Sequence, residues 1–385
     1  MPEESKSLRP LVMAEHQFLD QWAAQLLAGN PLPWPLVDGQ EGLRAAGAFF
    51  SSEGIGPLCH FALQAVDAKA LVPPPVWDLL RQERQAAVAR DLMHGNQDAQ
   101  VIQWLAEIGL RPLVLKGAAY ARALYPEAHL RPRCDTDLLL PDQESARRAW
   151  QRLEQEGYEP MPNVVEGRFV SRQRTCVKST VGRHTLDLHW AISNTHSFVR
   201  ALPYHELNRD AVALPRLHEQ AMTLGPVHSL LFACLHLFGH AQYEQLPKLL
   251  WLYDIYLLSR QLSESDWSTF SRVAITKEVA GICRHVLDDA NDRFPVAAFG
   301  TIRPALAAAE PMEVFRPDRL KSRLHFLYYD MKALNHLGER LVWLRESLFP
   351  SAEYMRSKYA QTSNLWVPLL YLHRAATGLT KRFKR

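Results

Sequence analysis

Apolar positions recur at helical spacing through the first hundred residues. Phe18, Leu19, Trp22, Leu26 and Leu27 mark one helix, broken at Gly29-Asn30-Pro31. A second helix is predicted over 41–66, ahead of the proline cluster 73–75, which is expected to end it. A third follows over 76–109, with an interruption expected at Gly95-Asn96. The period then changes. Residues 112–115 are a short apolar run between Gly109 and Gly117, the pattern of a buried strand, and 118–124 reads as a helix. Within RPRCDTDLLLPD, residues 131–142, two aspartates open an otherwise apolar strand. Pro141-Asp142 then starts a helix with Asp142 as N-cap, Ala146, Ala149, Trp150 and Leu153 as its apolar face and Gly157 as its stop. Strand-like segments follow at 168–171, 176–180 and 185–190, with a turn at Gly182-Arg183. Beyond Pro203 helical spacing returns, through Leu230, Leu231, Cys234 and Leu235, then 249–258, then an aromatic-rich end from 315 onward. The expected fold is α+β and helix-rich: a small mixed sheet over 111–202 between helical regions 1–110 and 203–385.

Composition narrows the class. A chain of 385 residues suggests two or three domains, and 47% hydrophobic with 22% charged residues is the balance of a soluble globular protein. A formal net charge of +3 is too small to make nucleic acid the main partner. Cys59, Cys134, Cys176, Cys234 and Cys283 form no CxxC pair, which argues against a disulfide framework and a structural zinc site and fits a reducing compartment. The polar start MPEESKSLRP is not that of a signal peptide, and no apolar run reaches the roughly 18 residues that span a bilayer. The expected location is cytoplasmic.

Candidate chemistry is concentrated in the strands. Side chains alternate faces along a strand, so Asp135 and Asp137 share one, with Cα atoms roughly 6.5 to 7 Å apart. Their oxygens can converge on divalent cations about 3.5 to 4 Å apart. Alternatively, Asp135 caps a loop and Asp137 lies at an exposed strand end. In the run Thr185-Leu186-Asp187-Leu188-His189-Trp190, Asp187 and His189 oppose an apolar face, which adds a third carboxylate or else the polar side of an edge strand. Lys116-Gly117-Ala118 lies between a strand and a helix start, where backbone N–H groups and a lysine charge suit an anion; a surface lysine beside a tight turn fits equally. Arg131 and Arg133 are candidates for phosphate, although Arg131 pairing with a carboxylate is as good a reading. His189 supports a neighbour or is simply solvated. His236 and His240 stand at i and i+4, yet no glutamate lies between them, so a core role outweighs zinc hydrolase chemistry.

The stretch VLKGAAYARALYPEAHLRPRCDTDLLL followed by LDLHW resembles the polymerase-β-type nucleotidyltransferase superfamily. Within it, the closest resemblance is to a bacterial branch of uncharacterised nucleotidyltransferases with a Leu-Lys-Gly turn before Arg-Pro-x-x-Asp-x-Asp-Leu-Leu. PLCHFAL near Pro57, HLFGH and LFPS near Pro350 extend the likeness along the chain. The resemblance implies that Asp135 and Asp137 are paired metal ligands, Asp187 is the third carboxylate, and Gly117 faces the triphosphate. It further implies transfer of a nucleoside monophosphate from an NTP, expected to be ATP, to an acceptor the sequence does not name, with Mg²⁺ or Mn²⁺. One departure is Ala118, where the superfamily usually carries Ser or Gly, so a hydroxyl contact to phosphate is missing; a weak or inactive binding module of the same fold is the alternative. Helices beyond 203 would close over the cleft, with His236, His240 and Asp254 lining it or tying helices together. At the end of the chain, the apolar run 365–372 and the basic residues 381–385 either touch an anionic membrane surface or form a solvated tail.

Overall fold

The prolines expected to end the second helix begin the next one instead. Proline suits the first helical positions because its missing N–H has no acceptor there. In the computed structural model, residues 4–36, 39–161, 171–180, 182–241, 247–296, 298–313, 316–319, 323–334, 336–359 and 367–374 are described. The first helices are α1 (Glu4–Leu27), α2 (Gln40–Glu53), α3 (Gly56–Ala65) and α4 (Pro74–Glu107). The predicted single helix over 41–66 is divided at Gly54, whose φ of 71° is left-handed. By contrast, α4 runs unbroken through Gly95 for 34 residues. A side chain at Gly95 would run into the Arg122 guanidinium. Arg122 reaches across to Asp91 of α4 at 2.9 and 3.0 Å, so the glycine makes room for a neighbouring helix rather than a break.

Next come β1 (Leu113–Leu115), α5 (Lys116–Ala123), β2 (Thr136–Leu139) and α6 (Gln143–Gln155). Asp142 caps α6 as expected, its Oδ1 accepting the Ser145 N–H at 2.7 Å. Strands β3 (Glu159–Pro160), β4 (Gln173–Thr180) and β5 (Gly182–His189) follow, then α7 (His196–Ala201), α8 (Tyr204–Arg209), β6 (Val212–Ala213) and β7 (Met222–Thr223). Together the strands form one seven-stranded mixed sheet in the order β3-β4-β5-β2-β1-β7-β6. Helices α9 (Pro226–Ala241), α10 (Leu249–Gln261), α11 (Glu264–Thr276), α12 (Ala280–Arg293) and α13 (Phe299–Ala309) pack among themselves, and α14 (Arg323–Lys332), α15 (Leu337–Leu348), α16 (Ala352–Lys358) and a helical stretch over 367–374 follow. The fold is thus the helix-rich α+β arrangement expected. One cluster of buried apolar residues runs from Leu19 to Phe326. Among the described residues, no helix is long and apolar enough to cross a membrane. The predicted strand residues 168–170 and the basic end 381–385 lie outside the described residues.

The contact between α14 and α7 contains a buried acid. Asp330 is 4% exposed, and its Oδ1 accepts the Ser197 N–H at 3.2 Å. Burial pushes its pKa from 3.8 up to about 7. Between those two pH values the native state binds more protons than the unfolded chain, so stability falls as pH rises through the window. Asp330→Asn keeps the acceptor and removes the charge. It should stabilise the protein by about 2 to 4 kcal/mol at pH 8 and by little at pH 4; an equal gain in thermal stability at both pH values would refute this origin.

Candidate active site

Strand register, rather than proximity in sequence, assembles the site. β2 pairs parallel with β5, with Asp137 directly opposite Asp187, while β1 pairs antiparallel with β2, with Leu115 opposite Asp137. Residues in register on adjacent strands share a face. Asp137, Asp187 and His189 therefore converge, each offering a donor atom within 4.8 Å of the others. On its other side, in the β4–β5 hairpin, Asp187 stands opposite Thr175. Thr175 Oγ1 donates to Asp187 Oδ1, and Gln173 Nε2 donates to Oδ2 at 2.9 Å, which fixes that carboxylate from the far side.

Asp137 is 3% exposed and carries two donors on one oxygen: Lys116 Nζ at 2.7 Å and His189 Nε2 at 2.8 Å from Oδ1. Burial alone would favour the protonated acid, but the Lys116 charge and the His189 hydrogen bond outweigh it and hold the carboxyl well below its usual range. Burial likewise works against the Lys116 charge, yet Asp137, with Asp135 and Asp187 behind it, raises the ammonium above its ordinary value.

Lys116 also bends the chain into the site. It opens α5 with a φ of 49°, a left-handed conformation that costs a side-chain-bearing residue of order 1–3 kcal/mol. The bend thus falls one residue before the glycine expected to make it. Gly117 answers a different need: a Cβ there would stand 2.5 Å from Arg131 Nη1 and 3.2 Å from Arg133 Cβ. Ala118 is 3% exposed and packs in the core.

Both candidate arginines hold buried carboxylates. Arg131 donates from Nε and Nη2 to Asp254 Oδ2 at 3.2 and 2.7 Å. Arg133 Nη2 reaches Asp98 of α4 at 2.5 Å, and its Nη1 bonds Thr136 Oγ1 at 2.5 Å and the Asp135 carbonyl at 3.2 Å. Asp98 also accepts from Thr136 at 2.7 Å and lies 3.0 Å from His184 Nε2. These pairs fasten the approach to β2 onto α10 and α4. Asp135 itself lies just before β2 and is exposed as a residue, although protein crowds its carboxyl. That burial, then the charge of Asp137, pushes its pKa up to about 6.

Beside the carboxylates opens a cleft of about 150 Å³. Lys116, Gln173 and His189 form one side, and α7 and α9 the other. His236 and His240 line it with ring centroids 4.4 Å apart, whereas Asp254 ties α10 to Arg131.

Gln173, Thr175 and Asp98 escaped the sequence reading. Counting back from the Gly182 turn would have placed Thr175 opposite Asp187. Asp98 stands within α4, with no local pattern to mark it as Arg133's partner. Of the two readings open for His189, support of a neighbour and simple solvation, the buried ring with its bond to Asp137 matches the first.

Comparison with curated proteins and with solved structures gave no match. A family model described as uncharacterised nucleotidyltransferase matches residues 46–295, well over half of the chain and all of the site. With that span matched, the chain belongs to the family of uncharacterised nucleotidyltransferases.

Proposed function

We propose that the protein transfers a nucleoside monophosphate from an NTP to an acceptor hydroxyl, with Mg²⁺ or Mn²⁺ at Asp137 and Asp187. The observation that carries this is the direct pairing of Asp137 with Asp187 across parallel strands, with His189 on the same face. Carboxylate oxygens suit a hard divalent ion. The Lys116 ammonium on Asp137 supports the fit, because the position already accommodates a positive charge. When bound, such an ion neutralises charge on the phosphates and lowers the pKa of the attacking hydroxyl.

The protein's own groups do the rest. Asp187, aligned by Thr175 and Gln173, accepts the hydroxyl proton as its oxygen attacks the α-phosphorus and the bond to pyrophosphate breaks. Lys116 exchanges Asp137 for the phosphates, beside the N–H groups at the start of α5. His189 keeps Asp137 oriented during that exchange. Asp135 adds a carboxylate at the rim, while Arg131 and Arg133 hold the frame.

The test uses each α-labelled NTP with Mg²⁺ or Mn²⁺ and pooled cell-extract acceptors. Wild type should label an acceptor, and Asp187→Asn should lower the rate by about 10²-fold or more. Equal labelling by both would remove Asp187 from the chemistry.

A further inference from the structure

We propose that helix α15 and the helical stretch over 367–374 form a docking face for an anionic phospholipid bilayer, which they meet with exposed leucines and an excess of basic residues. The inference goes beyond the nucleotidyltransferase reading and does not depend on it.

Orientation is the first argument. A helix on a globular protein turns its apolar stripe to the core and its charges to water. α15 does the reverse. Leu337, Leu341, Leu344 and Leu348 recur at i, i+4, i+7 and i+11, which is one face of a helix, and they are between 42 and 75% exposed. The charged Glu339, Arg340 and Glu346 are less exposed than these leucines. Arg340 donates from Nε and Nη2 to the Leu334 carbonyl at 3.2 and 3.0 Å, and Glu339 and Glu346 lie close enough to Arg172 to favour its charge. The polar side thus fastens α15 to the protein and leaves the leucines outward.

Continuity is the second. Phe349 follows the stripe, is also exposed, and meets the Tyr371 ring with centroids 5.6 Å apart. The Tyr371 hydroxyl donates to the Pro350 carbonyl, and Arg374 Nη2 donates to the Ser347 carbonyl at 3.4 Å. These contacts join 367–374 to the end of α15 and bring two further exposed leucines, Leu369 and Leu372, beside it. The same region is attached to the candidate active site, because Phe326 of α14 meets Phe198 of the cleft wall with ring centroids 6.4 Å apart.

Charge is the third, and it selects the occupant. Residues 315–385 carry 14 Lys and Arg against 5 Asp and Glu, a net charge of +9, whereas the whole chain carries +3, so residues 1–314 are net −6. This basic part lies beyond the span 46–295 that the family model matches. Lys332, Arg345 and Lys358 within it are exposed. An anionic bilayer attracts Lys and Arg to its surface and takes leucines into the boundary between headgroups and acyl chains. A second copy seated on this face by a two-fold contact would set one net charge of +9 against another. A nucleic acid would match the charge but leave the leucines in water. The lipid surface satisfies both features at once.

Flotation of the full chain with vesicles of phosphatidylcholine alone, and of phosphatidylcholine mixed with phosphatidylglycerol, tests this. The protein should bind the mixed vesicles about tenfold or more tighter, and the difference should shrink as salt is raised. Leu341→Ser combined with Leu348→Ser keeps the net charge and alters only exposed side chains. Its thermal melting should match wild type while its binding to mixed vesicles falls about tenfold or more. Arg345→Gln should weaken the same binding about fivefold by removing one charge near the surface. Equal binding to both kinds of vesicle, or mixed-vesicle binding that the leucine variant leaves intact, would overturn the proposal. A dimer in sedimentation velocity that the leucine variant dissociates, without vesicle binding, would make a second copy the occupant and overturn it too. Binding of polyuridylate in the absence of vesicle binding would do the same by assigning the charge to nucleic acid.

Discussion

Asp137→Asn should lower nucleotidyl transfer by about 10³-fold, equivalent to about 4 kcal/mol of transition-state stabilisation, and should abolish Mn²⁺ binding. The size of the effect follows from how much converges on this carboxylate. Lys116 and His189 both donate to its Oδ1, and Asp187 faces it across the sheet. An asparagine keeps the volume and one acceptor oxygen but cannot balance the Lys116 ammonium. That lysine is held above its ordinary pKa, against its burial, chiefly by Asp137. The fold should survive, since the residue's backbone pairing with Leu115 and Asp187 is untouched. Mn²⁺ binding followed by electron paramagnetic resonance, beside thermal melting, separates lost metal from lost structure. Wild-type Mn²⁺ affinity and rate in this variant would move the site elsewhere.

How far the sequence revealed this site depends on the range of each interaction. Short-range signals were clear: Asp142 caps its helix, Gly157 carries a φ of 85°, and Asp187 shares a face with His189. These depend only on alternation and local turn chemistry. The Asp135–Asp137 pair looked symmetrical on the same grounds, yet the strand begins at Thr136. Asp135 is thus left at the rim while Asp137 is buried, because pairing with β5 starts at Thr136 and pairing with β1 at Asp137. Long-range partners were not legible. Arg133 meets Asp98 from 35 residues away, and Arg131 meets Asp254 from 123. Either arginine could equally have faced phosphate until packing of α4 and α10 decided which carboxylate came near. Asp254 did carry a hint: a lone acid in the apolar helix LLWLYDIYLLSRQ has to find a partner when buried. The bend at Lys116 was hidden for the opposite reason, since a strained lysine next to an available glycine runs against local preference. Such conflicts between local preference and structure are expected where a site imposes its own geometry.

The second large effect is on stability. Asp254→Ala should destabilise the fold by about 3–5 kcal/mol in urea unfolding, because it leaves a buried guanidinium unpaired. Asp254 is 2% exposed and Arg131 8%, and the Tyr125 hydroxyl also donates to Asp254 Oδ1 at 2.7 Å. Removing the acid strands both donors inside the protein, a large part of the 5–15 kcal/mol that separates a typical folded domain from its unfolded chain. Replacing both partners is a different matter. In an Arg131→Met, Asp254→Leu double variant no charge remains buried, and most of the lost stability should return. That variant also decides between the two roles the sequence allowed for Arg131. If its purpose is to bind α10 to the approach of β2, the double variant keeps Mn²⁺-tripolyphosphate binding within about twofold. If Arg131 instead reaches the phosphates past Gly117, stability recovers while tripolyphosphate binding falls about tenfold or more. The bidentate contact with Asp254 predicts the first outcome.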